Sequence, residues 1–221
     1  MTDTDSLIAA LGREARPVRR LRTPILRSAA WLAFAFGVIA LLVLHDGLAD
    51  DLAQSLGQRK FVLDLLGALG TGIGATIAAF HLSMPGRSWR WAFLPLPGLV
   101  LWLFGMGYGC WADWVRLGPD GFRLGMAVDC FCFIALTAVP LSAAMLFLLR
   151  HAAPIRPVPT AILATLSVAS LAAGAHSLVD GLGTTLMVLV WHLGTTALLV
   201  LAARFAGPRL LRRLYEPPAG S

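Results

Sequence analysis

Six apolar runs dominate the chain: residues 29–44, 61–83, 92–108, 126–149, 160–178 and 184–203. A bilayer core needs roughly 20 helical residues to cross it, and each run is close to that length. Together they use most of the 221 residues, so no room remains for a separate globular domain. The expectation is an all-α, polytopic membrane protein with six transmembrane helices. A secretory leader does not fit the first run, which begins late, is too long and lacks a small-residue cleavage site.

Six crossings put both termini on one side, and the charges choose it. The net charge is +6 with eighteen Lys and Arg. If the termini are cytoplasmic, the inner segments hold Arg13, Arg16, Arg19, Arg20, Arg22 and Arg27, then Arg87, Arg90, Arg150, Arg156, Arg204, Arg209, Arg212 and Arg213. The outer loops hold Arg59, Lys60, Arg116 and Arg123. This is the positive-inside bias, and it accounts for the basic character without direct binding to nucleic acid.

Three units follow: a cytoplasmic N-terminal segment (1–27), a six-helix membrane unit (28–206) and a basic cytoplasmic tail (207–221). In the first, Asp5 or Ser6 can cap a short helix whose apolar stripe is Leu7, Ile8 and Leu11. Gly12 weakens that helix and Pro17 disfavours a helical Arg16. A narrow stripe cannot bury itself, so the segment is either a tail or a piece that folds on a partner.

The second run contains G-A-L-G-T-G-I-G at 67–74. No strand precedes it, so a dinucleotide fingerprint is excluded, and Gly70 with Gly74 reads as a close-packing GxxxG pair. Pro85-Gly86 marks an inner turn, with Arg87, Arg90, Trp89 and Trp91 at headgroup level. Pro95 and Pro97 give the third helix an irregular start, and its outer loop carries Trp111, Asp113, Trp114 and Arg116. Pro140 interrupts the fourth run.

Cys110, Cys130 and Cys132 fall near the outer side, where a disulfide is allowed. Cys130 and Cys132 diverge by about 200° on a helix, so Cys110 with either is the open pairing. Small apolar packing is the plainer alternative. Asp64, Asp129, His176 and Asp180 lie at outer helix ends and His192 lies deeper, making them sensing or hydrogen-bonding candidates. No CxxC or HxxxH spacing is present, so no metal or cofactor is expected. No nucleophile–base arrangement, Walker loop or HExxH motif supports catalysis. A small transporter or metal-export subunit is the alternative class.

The joint pattern resembles the NrsF-like family of anti-sigma factors. The resemblance rests on Leu7 and Leu11 followed by P-V-R-R-L-R (17–22), M-P-G-R-S-W-R-W (84–91), L-P-L-P (94–97), Cys130, V-P-L (139–141), L-R-H-A-A-P-I-R-P (149–157), W-H (191–192) and R-L-L-R-R (209–213). It implies that the N-terminal segment holds an extracytoplasmic-function sigma factor at the inner membrane until envelope, metal or oxidative stress releases it. The contact residues expected are Leu7, Leu11, Pro17, Val18, Arg19, Arg20 and Leu21. The resemblance also implies a pair of outer cysteines, the second just after a histidine. Here Ser177 follows His176, which leaves Cys130 as the leading sensing residue beside Cys110, Cys132 and His176.

Overall fold

The computed structural model describes residues 23–49, 52–117, 127–150 and 157–180, together with Thr4, Ser6, Leu7, Ile8, Ala9, Gly12 and Leu201. Within the helices, backbone alone is described at 109–114, 116–117, 127–132, 134–135, 150 and 180. The elements, in order, are α1 (Pro24–Asp46), α2 (Leu52–Leu56), α3 (Arg59–Leu82), a 3-10 turn (Trp89–Phe93), α4 (Leu96–Leu117), α5 (Ala127–Arg150) and α6 (Pro157–Asp180). The first five apolar runs thus become five long helices. The sixth lies outside the described residues apart from Leu201, which is helical. Among the described residues, α1, α3, Trp89–Tyr108 and Pro157–Val179 are long and apolar enough to cross a membrane, and α5 adds the shorter apolar stretch Leu136–Leu149.

Prolines set two of the helix starts. Pro24 occupies the first turn of α1, where its missing N–H is an orphan anyway and its fixed φ suits a helix. The helix therefore begins five residues before the apolar run does, and takes in Arg27. Pro157 and Pro159 likewise sit in the first turn of α6, so the proline-rich connection is partly helix. At the other end of α1, Gly47 takes φ 87° and returns its N–H to the Val43 carbonyl at 3.0 Å.

The third run has the expected irregular start and departs from expectation at its far end. Its start is a 3-10 turn, with Ser88 accepting from the Arg90 N–H. Its far end continues to Leu117, through Trp111–Arg116, which the sequence reading placed in a loop. Glycine costs about 1 kcal/mol in a helix interior, and Gly105, Gly107 and Gly109 suggest a helix end. Packing overrides that cost: Trp102 and Met106 are buried on α3 beside Ala68 and Ala173.

The centre of the bundle is α3, flanked by α4 and α6. Contacts pair 64 with 105, 67 with 102, 70 with 98 and 74 with 95, so α4 runs antiparallel to α3 in one constant register. A Cβ built on Gly67 would lie 2.5 Å from the Trp102 backbone nitrogen, and one on Gly98 would strike the backbone of Gly70 and Thr71. The expected Gly70–Gly74 pair does face α4, with Gly74 tight against Pro95, yet Gly67 and Gly98 make the closest approach. On the other side, Thr76 Oγ1 and Ser167 Oγ are 2.5 Å apart, and Ser167 also donates to the Gly72 carbonyl at 3.0 Å. Small residues and hydroxyl bonds are what join helices in lipid, where apolar burial gives no net drive.

Exposure divides the helices. In the most apolar 18-residue window α6 is 67% buried and α3 50%, whereas α1 and Trp89–Tyr108 are 22% buried. Phe34, Leu41 and Leu44 on α1, and Val100, Phe104 and Tyr108 on α4, point outward. Large outward apolar faces on both peripheral helices fit a lipid surround rather than water.

Candidate functional sites at the two ends of the bundle

Contacts of Arg27 with Leu148 and Phe80, of His81 with Trp91 and of Thr76 with Ser167 place the start of α1, the end of α3, the 3-10 turn, the end of α5 and the start of α6 together. This is the basic end. Arg27 sits on the first turn of α1 and is only 7% exposed. Its Nη2 donates to the Leu148 carbonyl of α5, and its guanidinium lies over the Phe80 ring of α3, 5.1 Å from the centroid. Leu148 is in the last turn of α5, where carbonyls lack intrahelical partners. A cation there also meets the negative end of the helix dipole. One turn along α1, the fully buried Trp31 donates from Nε1 to the Leu141 carbonyl, a long 3.4 Å bond.

The same end holds His81, which is buried and stacks on Trp91 with centroids 4.0 Å apart and planes inclined by 20°. Its Nδ1 is 2.8 Å from the Ile77 carbonyl, so that nitrogen carries the proton. The stack seats the 3-10 turn on the end of α3. Trp89, Arg87 and Arg90 stay exposed beside it.

Of the expected partner-contact residues, Leu7 is described: it is helical and 58% exposed, next to Ile8 at 62%. Leu11, Pro17, Val18, Arg19, Arg20 and Leu21 lie outside the described residues.

The opposite, cysteine end gathers the end of α1, α2, the start of α3, the end of α4, the start of α5 and the end of α6. Cys130 and Cys132 fall in the first turns of α5, and Cys110 falls on α4 seven residues before its end. Their side chains lie outside the described residues. His176 is buried at 7% exposure, its ring centroid 5.5 Å from that of Phe133 and tilted by 39°. Phe133 follows Cys130 by three residues, so the structure brings the α5 start and His176 to one corner. Ser177 bonds back to the Ala173 carbonyl at 3.1 Å, and the Ala49 N–H donates to the Leu178 carbonyl at 3.2 Å.

Asp64 stands apart from that corner, on the α3–α4 seam. Its Oδ1 packs on Gly105 and is buried with no hydrogen-bond partner among the described residues. His192 and the side chains of Asp129 and Asp180 are outside the described residues. Among the described residues no three His, Cys, Asp or Glu side chains gather as a metal site.

Sequence reasoning missed Arg27 as a packed residue and counted it as a surface charge. The available signal was Pro24: a helix starting there places Arg27, Ser28, Trp31, Ala35 and Ile39 on one buried stripe.

Comparison with known proteins gives one family. The family model NrsF, described as negative regulator of sigma F, matches residues 11–212. No curated protein and no solved structure matches the chain.

Proposed function

The chain belongs to the NrsF family of negative regulators of sigma F, and we propose that it restrains an extracytoplasmic-function sigma factor from the bacterial inner membrane. In this reading residues 1–27 dock the sigma factor, the last four of them forming the first turn of α1. Residues 28–206 form a six-helix sensor with both termini cytoplasmic, and 207–221 form a basic tail. The protein acts by sequestration, not catalysis, and contacts no nucleic acid itself.

The observation that carries the reading is the reach of the family match. It takes in the arginine-rich segment and every described long helix, so regulator and membrane unit are one chain. Leu7 and Ile8 support the docking half: two large apolar residues on a helical stretch stand exposed ahead of the bundle. Such a stripe gains its burial on a partner.

Replacing Leu7, Leu11 and Leu21 together with Ala is expected to release the sigma factor from isolated membranes while membrane orientation stays unchanged. Retention equal to wild type would exclude the stripe. For sensing, Cys130→Ser is expected to blunt release by a thiol-reactive metal ion, and an unaltered dose response would remove Cys130 from the scheme.

A further inference from the structure

Arg27 occupies a position that neither topology nor partner docking requires. A topogenic arginine is expected in headgroups, exposed; this one is buried and reaches across to a neighbouring helix. It lies five residues after Arg22, where the arginine-rich segment ends, and its acceptor lies on α5, the helix whose opposite end carries Cys130 and Cys132. Between those two ends stands Pro140. A proline inside a helix removes one backbone donor and strains the preceding turn, so α5 has one built-in weak point. Trp31 meets α5 at Leu141, the residue directly after it. Helix α1 therefore touches α5 by hydrogen bonds at the weak point and again at its final turn.

We propose that Arg27 and Trp31 form a clamp through which displacement of α5 about Pro140 is delivered to the N-terminal segment. With the clamp closed, the chain leaves the bundle from a fixed first turn, and a docked partner meets a segment whose root is already ordered. Preordering of that kind lowers the entropy lost on binding. If α5 shifts at its cysteine end, the Leu148 carbonyl moves away from the guanidinium. The buried cation then loses that charged hydrogen bond, a loss costly enough to favour rearrangement. The root of α1 loosens and the partner is held less tightly. The seam suits this task because its hydrogen bonds, set in apolar packing of α1 on α5, come from two long side chains rather than from touching backbones.

The proposal rests on the docking reading above, and its test separates the two. The full-length chain in membrane vesicles is assayed for retention of its sigma factor as wild type, Arg27→Ala, Arg27→Lys and Trp31→Phe, alongside a chain lacking residues 1–22. Spin labels on non-natural residues at Ile25 and Phe147, both exposed, report the separation of α1 from α5. Arg27→Ala is expected to weaken retention by about tenfold or more, as loss of a buried charged hydrogen bond implies, and to lengthen and broaden the separation. Arg27→Lys, which keeps a cation at the α5 end and serves if the alanine variant fails to insert, falls between. Trp31→Phe gives the smallest change in the same direction. Wild-type retention and separation in both Arg27 variants, while the shortened chain loses the sigma factor, overturn the clamp. Undiminished retention by the shortened chain overturns the docking reading instead; an unchanged label separation in the Arg27 variants then overturns the clamp as well.

Discussion

Central helix α3 and peripheral helix α1 are both fastened into the bundle, by opposite means. Along α3, Gly67 and Gly74, with Gly98 of α4, let the two backbones touch in one register, and Thr76 with Ser167 bridges to α6. Along α1, Arg27 and Trp31 extend long side chains to carbonyls of α5. Backbone contact leaves nothing to adjust, whereas a side-chain seam can open by a change of rotamer. The difference separates a fixed spine from a seam able to respond, and it puts the responsive seam next to the N-terminal segment.

Substitutions can break that contrast. The largest effect is expected at Gly98, where a new side chain meets backbone: Gly98→Leu should cost more than about 3 kcal/mol by overpacking, read as loss of folded protein in denaturant titration of detergent-purified chain. Gly72→Ala is the milder counterpart, because its new Cβ would meet the Leu171 side chain, 2.6 Å away, which can yield. Equal losses at the two sites would erase the distinction between the α4 and α6 seams. Next in size is Arg27→Ala, expected to destabilise by about 1.5–3 kcal/mol through its charged hydrogen bond. Smallest is the hydroxyl bridge: a double-mutant cycle of Thr76→Val with Ser167→Ala should give a coupling near 0.6 kcal/mol, the average for such bonds in membranes. A coupling above that of Arg27 with Phe80 would mean that α6, not α1, holds the stronger polar tie.

How much of this was legible follows from what bilayer-type sequences hide. Apolar runs announce helices, so α1, α3, α5 and α6 were foreseen, as was the irregular entry at Pro95 and Pro97. Facing is harder to read. When every position is apolar, period 3.6 no longer separates the inside of the bundle from lipid. Only Arg27 and Ser28 marked the buried stripe of α1, and a positive charge at a helix start reads more naturally as topology. The extension of α4 past Tyr108 was hidden by Gly105, Gly107 and Gly109, whose low helix propensity is outweighed by the contact of α4 with α3. At the candidate sites, the approach of Phe133 to His176 depends on the register between α5 and α6, which no local pattern encodes. The stack of His81 on Trp91 depends on how the turn folds back onto α3.

In the proposed scheme the N-terminal segment holds the sigma factor while the bundle anchors and controls it. Co-purification of the sigma factor with the full-length chain and with a chain lacking residues 1–22, which leaves α1 whole from Pro24, tests it most directly. Recovery is expected with the full chain and loss with the shortened one, both inserted in the membrane. Equal recovery from the two would contradict it.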